Sequence, residues 1–150
     1  MHLAERITTD MKTAMKAKDQ TSLRGIRAIK SALLLAKTDG SGKELTEADE
    51  IALVQKLVKQ RQESLRIYEE QNREDLAVTE REEIEVLNRY LPEPMDEAAL
   101  DKMVADIIEK TGASSMKDMG RVMGMANKEA AGRADGKTIA ATVKRLLSAG

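Results

Sequence analysis

The chain has 150 residues and 16.5 kDa, with no cysteine, tryptophan or phenylalanine, one histidine and a formal net charge of -1. A chain of this length buries roughly two thirds of its unfolded surface, which allows one or two small domains and excludes a large multidomain enzyme. Without cysteine there is no disulfide framework, thiolate metal site or thiol nucleophile. With His2 as the only imidazole, beside a terminus expected to fray, a Ser/His/Asp triad is not supported either. Catalytic residues, metal ligands and cofactors are all expected to be absent. Leu3 and Ile7 are followed at once by Asp10, Lys12 and Lys16, so no signal core forms, and no later run approaches the ~20 apolar residues of a membrane span. The expectation is a soluble, cytoplasmic protein without a membrane partner.

Composition points to an all-α fold. Pro92 and Pro94 are the only prolines, most of the nine glycines fall between helical patterns, and the abundant residues are strong helix formers. The first helix places Leu3, Ile7, Met11 and Met15 at i, i+4 spacing and is expected to end near Lys18-Asp19. The second is expected to start at Thr21 or Ser22, to face the core with Ile26, Ile29 and Leu33, and to stop in the loop Thr38-Asp39-Gly40-Ser41-Gly42. Thr46 with Asp49 resembles a capping box for a third and longest helix carrying Ile51, Val54, Leu57, Val58, Leu65 and Tyr68. Gln71-Asn72 breaks it. Leu76, Ile84, Leu87 and Leu91 then mark a fourth helix with an acidic outer face from Glu80, Glu82, Glu83 and Glu85.

The extended joint Leu91-Pro92-Glu93-Pro94 divides residues 1 to 91, a four-helix bundle, from residues 95 to 150, a smaller three-helix domain. Asp96 caps a helix carrying Leu100, Met103, Val104 and Ile107 and ending at Gly112. Ser115 with Asp118 caps the next, with a stripe of Met116, Met119, Met123 and Ala126. Asp135 caps the last, with Ile139, Val143 and Leu146. Six of the nine methionines, Met95, Met103, Met116, Met119, Met123 and Met125, lie in this half. They suit either a methionine-packed core or an adaptable binding surface.

Charge is uneven along the chain. Residues 1 to 37 hold 8 basic residues against 3 acidic, residues 38 to 91 hold 8 against 14, residues 92 to 113 hold 2 against 6, and residues 114 to 150 hold 7 against 3. Two basic ends thus flank an acidic middle. On the second helix Arg24, Arg27, Lys30 and Lys37 form a ridge beside the core stripe, read either as a solvated face or as a secondary binding ridge. Near the C-terminus Arg121 and Lys128 lie a heptad apart. Arg133 and Lys137 flank Ala134-Asp135-Gly136, and Lys144 and Arg145 follow. Gly132 and Gly136 permit a tight turn or a close approach, and the loop feeds a helix N-terminus that attracts anions. Asp135 as a cap repels a phosphate there, so a purely structural helix-loop-helix fits the same residues. Carboxylate pairs such as Glu82 with Glu85 and Asp96 with Asp101 are ordinary features of solvated helices.

The string Met116-Lys117-Asp118-Met119-Gly120-Arg121-Val122-Met123-Gly124, followed by Gly132-Arg133-Ala134-Asp135-Gly136-Lys137 and Val143-Lys144-Arg145-Leu146-Leu147, resembles the signature of the GatB/YqeY family. The resemblance extends through Leu23-Arg24-Gly25-Ile26-Arg27-Ala28-Ile29-Lys30-Ser31-Ala32 and Tyr90-Leu91-Pro92. The whole chain is thus similar to a stand-alone YqeY protein, and its second half to the tail of the GatB subunit of the tRNA-dependent amidotransferase. That resemblance implies a helical bundle joined to a small three-helix domain, and a family-level link to carbon-nitrogen ligase activity with glutamine as donor. The catalytic body of GatB is absent from this chain, so no catalytic residue is carried over. The neighbourhood of Arg121, Gly132, Arg133, Asp135, Gly136, Lys137 and Lys144 is implied to contact tRNA backbone.

The expected function is a non-catalytic adaptor that binds tRNA or other structured RNA, or associates with an amidotransferase. Recognition would run through phosphates and shape, since only Tyr68 and Tyr90 offer aromatic platforms. The alternative is a protein-interaction module with no direct RNA contact. With a pI near 6.0, a protein partner in tRNA metabolism is expected to supply part of the affinity.

Overall fold

A computed structural model describes residues 2–38 and 44–149. They form seven α-helices: α1 (Leu3–Ala17), α2 (Gln20–Lys37), α3 (Glu47–Glu70), α4 (Glu74–Asn88), α5 (Glu97–Thr111), α6 (Met119–Ala130) and α7 (Gly136–Ala149). A short 3-10 turn, Met116–Asp118, leads into α6, and no strand occurs among the described residues. The protein is all-α. The expected loop at Asp39-Gly40-Ser41-Gly42 lies outside the described residues. Two compact units result, Met1–Leu91 and Pro92–Gly150, with Pro92 to Asp96 outside any helix.

In the first unit α1 and α2 form one hairpin and α3 and α4 another. The i, i+4 stripe of α1 drifts about 40° per step around a 3.6-residue helix. By Met15 it has left the core, so Met15 is exposed and Ala14 is buried with Leu3 and Ile7. The cap of α2 is Asp19, two or three residues earlier than Thr21 or Ser22: its carboxylate accepts from Ser22 N at 3.1 Å and Ser22 Oγ at 2.6 Å. On α2, Leu23, Ile26, Ile29 and Leu33 are buried as the spacing requires. Thr46 and Asp49 form the reciprocal capping box that opens α3. The α3–α4 break falls at Gln71-Asn72, where Asn72 adopts φ 57°. α4 ends at Asn88, so Leu91 lies beyond the helix.

Among the interactions that tie these hairpins together, two involve nearly buried groups. A Cβ placed on Gly25 would lie 2.5 Å from Val86 Cγ1, so α2 and α4 approach closely only because residue 25 has no side chain. The expected fraying at His2 is also corrected. Glu50, nearly fully buried on α3, accepts from Leu3 N at 2.8 Å, and His2 Nδ1 lies 3.3 Å from its other oxygen. One orphan donor of the α1 N-terminus is thereby satisfied by a carboxylate from another helix.

The second unit buries Leu100, Met103, Val104 and Ile107 of α5, Val122, Ala126 and Ala130 of α6, and Ile139, Thr142, Val143 and Leu147 of α7. Of the six methionines, only Met103 is buried. Met116 and Met125 are 45% and 40% exposed, while Met95, Met119 and Met123 line the edge of the core. The stripe on α6 therefore runs through Val122 rather than Met119. Met119 shares the phase of Val122, Ala126 and Ala130 but is the first residue of α6, where it is only partly covered, and Met116 falls in the 3-10 turn before the helix. Leu147, not Leu146, is the buried leucine at the end of α7.

Two outcomes check this packing. Overpacking costs about 1–3 kcal/mol, set against about 1 kcal/mol that alanine gains over glycine in a helix. Gly25→Ala should accordingly lower the unfolding free energy, and Val86→Ala added to it should cost less than the two single changes together in a denaturant-melt mutant cycle. In addition, a fragment of residues 92–150 is expected to be helical alone by circular dichroism, with Val122→Asp destabilising it by about 3 kcal/mol and Met119→Asp by clearly less.

Candidate nucleic-acid interface

The basic residues of the second unit divide by what they touch. Arg133 turns back on α6: its Nε donates to Ala130 O at 3.2 Å and its Nη2 to Glu129 O at 3.5 Å, capping carbonyls that the helix leaves without partners. Gly132 follows the left-handed Ala131 with φ 84°, a conformation that favours glycine, and the turn closes with Arg133 N donating to Ala130 O at 3.0 Å. Arg133 O in turn accepts from Met95 N at 2.8 Å. Gly132 and Arg133 thus build the α6–α7 corner.

Arg121 is held by Asp118 at 3.3 Å and by Thr111 O at 3.4 Å. Arg145 pairs with Asp101 of α5 at 2.5 Å. Lys128, Lys137 and Lys144 are exposed and, among the described residues, in no ion pair. Helical phase places Lys128 opposite the Val122/Ala126/Ala130 stripe, and Lys137 and Lys144, a heptad apart, opposite Ile139/Val143. Gly136 opens α7 with nothing within 4 Å of an added Cβ, and the same is true of Gly120 and Gly124 on α6. These glycines leave the backbone beside the lysines uncovered.

The N-terminus of α7 is occupied by its own cap. Asp135 Oδ1 accepts from Thr138 N at 2.6 Å. That amide, then the Thr138 hydroxyl, hold the Asp135 carboxyl below its ordinary value despite partial burial. A phosphate has no free seat at that helix end, which leaves exposed side-chain cations, the outward lysines foremost, as the candidates for anion binding in this unit.

In the first unit the α2 ridge also separates. Arg24 bonds Glu82 of α4 at 2.5 Å and approaches Thr21 Oγ1 at 3.5 Å, whereas Arg27, Lys30 and Lys37 are exposed. The acidic face expected on the outside of α4 is largely turned inward. Glu82 meets Arg24, Glu83 meets Arg61 of α3 at 3.1 Å with both side chains mostly buried, and burial, then the neighbouring Glu83, push the Glu80 carboxyl upward.

One polar network was not legible in the pattern. Tyr90 donates to Asp10 Oδ2 at 2.5 Å, Arg6 sits 5.0 Å above the Tyr90 ring and donates to Arg89 O at 3.3 Å, and Arg89 donates to Ser22 Oγ at 3.1 Å. Burial and the Asp10 carboxylate both raise the Tyr90 phenol. Tyr90 therefore pins α1, and Arg89 beside it reaches α2, so the ring is not offered for stacking. Sequence separations of up to 83 residues hid this network. Of the two carboxylate pairs, Glu82 bonds Arg24, Asp101 bonds Arg145 and Asp96 caps α5, accepting from Ala99 N at 2.7 Å, whereas Glu85 is exposed.

Fold and side-chain placement together define an all-helical chain in which a four-helix unit is followed by a three-helix unit with outward lysines. The chain belongs to the YqeY-like protein family, whose model matches residues 4–147. It is similar to proteins named Altered inheritance of mitochondria protein 41, mitochondrial. The match to the one from Vanderwaltozyma polyspora is 32% identical, over 73% of this chain and 63% of the relative. For Lachancea thermotolerans it is 34% identical over 71% and 58%, and for Pyrenophora tritici-repentis 28% identical over 96% and 80%. In the first two, the chain spans about 60% of the relative's length. Their names correct the expectation of a generic cytoplasmic location, since each is named as a mitochondrial protein.

The Asp135 cap gives a pH signature. A carboxylate whose folded-state pKa is depressed adds stability that is present above its unfolded value of about 3.9 and is lost as pH falls through the folded value. Asp135→Ala should cost about 1 kcal/mol at neutral pH, and the gap in melting temperature between wild type and variant should close as the pH is taken below 4.

Proposed function

We propose that this chain is a non-catalytic RNA-associated adaptor whose second unit holds structured RNA, tRNA foremost, against Lys128, Lys137 and Lys144. One observation carries the reading: these three lysines are outward and in no ion pair among the described residues, whereas every arginine of the unit is engaged with a carboxylate or a helix carbonyl. Lysine ammonium groups on rigid helices suit phosphates, which position a protein on RNA without reading bases. The open glycine backbones at Gly120, Gly124 and Gly136 favour close approach of a polyanion to that face. The sequence resemblance to the GatB tail supports tRNA as the RNA, and association with a glutamine-dependent amidotransferase as the setting. The engaged state of Glu82, Asp96 and Asp101 supports a role without catalysis by this chain.

Reversing Lys128, Lys137 and Lys144 to Glu should weaken binding of unrelated tRNAs alike and flatten the salt dependence. Each lost phosphate contact lowers the log-log slope by roughly 0.7–0.9. Arg133 is kept, because its removal opens the α6 corner. The measurement is a filter-binding salt titration on variants of wild-type helicity. Identical salt curves for wild type and the triple variant would remove this face as the RNA site.

A further inference from the structure

The α2 helix presents a second surface that the RNA reading leaves unused. Between Gln20 and Lys37 it carries four cations and no acidic residue, and only Arg24 has an acidic partner among the described residues. The other three, Arg27, Lys30 and Lys37, surround Leu34 at i-7, i-4 and i+3, the spacings that share one helix face. Leu34 is 55% exposed and its neighbour Leu35 is 72% exposed, although Leu33 beside them is buried. Leu34, lined on its own face by three cations that are in no ion pair among the described residues, lies in a row about 15 Å long by the rise of an α-helix over ten residues, and Leu35, about 100° further round the helix, widens its apolar side.

We propose that this face is a docking site for an acidic amphipathic helix of a protein partner. Apolar anchors on such a helix cover Leu34 and Leu35, and its flanking carboxylates meet Arg27, Lys30 and Lys37. Charge complementarity selects the occupant, and the two leucines select its class. Phosphates of a nucleic acid gain nothing from covering leucines, and there is no aromatic ring in the row on which a base would stack. For a lipid surface the apolar content is too small: even one myristoyl chain, with more methylenes than two leucine side chains hold, gives only marginal binding. A helix laid along the row meets both features, as in the helix-in-groove mode of recognition, where anchors recur at i, i+3, i+4 and i+7.

The test uses the full chain and fluorescence anisotropy. The probe is a fluorescein-labelled amphipathic peptide with leucine at i, i+3, i+4 and i+7 and glutamate on both flanks, and the comparator is the same composition scrambled so that no apolar face forms. The chain is expected to bind the patterned peptide at least tenfold more tightly than the scrambled one. Leu34→Ser/Leu35→Ser and Arg27→Gln/Lys30→Gln/Lys37→Gln should each weaken it about tenfold, or 1.4 kcal/mol, with helicity unchanged. The Lys128/Lys137/Lys144 reversal should leave peptide affinity as it is, which separates this proposal from the RNA reading. Absence of peptide binding, equal affinity for both peptides, or wild-type affinity in both α2 variants overturns it. So does capture of phosphatidylserine vesicles or tRNA that is lost in the α2 variants while peptide binding is not.

Discussion

The close approach of α2 to α4 at Gly25 is the constraint on which the first unit depends. With no Cβ at residue 25, Val86 sits directly against the α2 backbone, and both helices stand close enough for Arg24, one residue earlier, to reach Glu82, four residues before Val86. The same proximity lets the Arg89 side chain reach Ser22 Oγ. Each hairpin supplies its own local helix signals. The join between hairpins is made where one small residue admits a β-branched one, a gain in packed contact that a methyl group would turn into overlap.

Around that join, polar groups close the ends of the helices. Glu50 caps α1 from α3, Asp19 caps α2 from its own turn, and Tyr90 with Asp10 and Arg6 ties the end of the unit back to α1. The second unit works with fewer such ties. Asp96 and Asp135 cap α5 and α7, Arg133 closes α6, and an aliphatic core of Ile, Val, Leu and Ala does the packing without an aromatic ring. Methionine, whose flexible chain fills gaps well, sits mostly at the rim of this core.

The electrostatic layout follows from these ties. Charge is neutralised where α2 and α3 meet α4, through Arg24 with Glu82 and Arg61 with Glu83, while exposed cations in no ion pair among the described residues remain on α1, at the outer end of α2 and on the outward faces of α6 and α7. Nearly neutral overall charge is therefore compatible with two cationic surfaces of different character. One lies beside exposed leucines and the other beside bare glycine backbone, so the two differ in apolar content.

Much of the fold was legible in the chain itself, because its determinants are local. The all-α class, the Thr46/Asp49 capping box, the break at Gln71-Asn72, the Asp96 and Asp135 caps and the Gly112 terminus are set by residues within a few positions of one another. Periodicity also found the α2 and α5 stripes, and on α6 it named Ala126 but not Val122 or Ala130, which are buried beside it. Sequence alone likewise located the basic residues. Which of them remain free was decided by tertiary structure, since Arg24 and Glu82 are 58 positions apart and Arg145 and Asp101 are 44 apart. Helix signals act over single turns and can be read along the chain, whereas the pairing of charges depends on which helix faces which, and only the packed hairpins fix that.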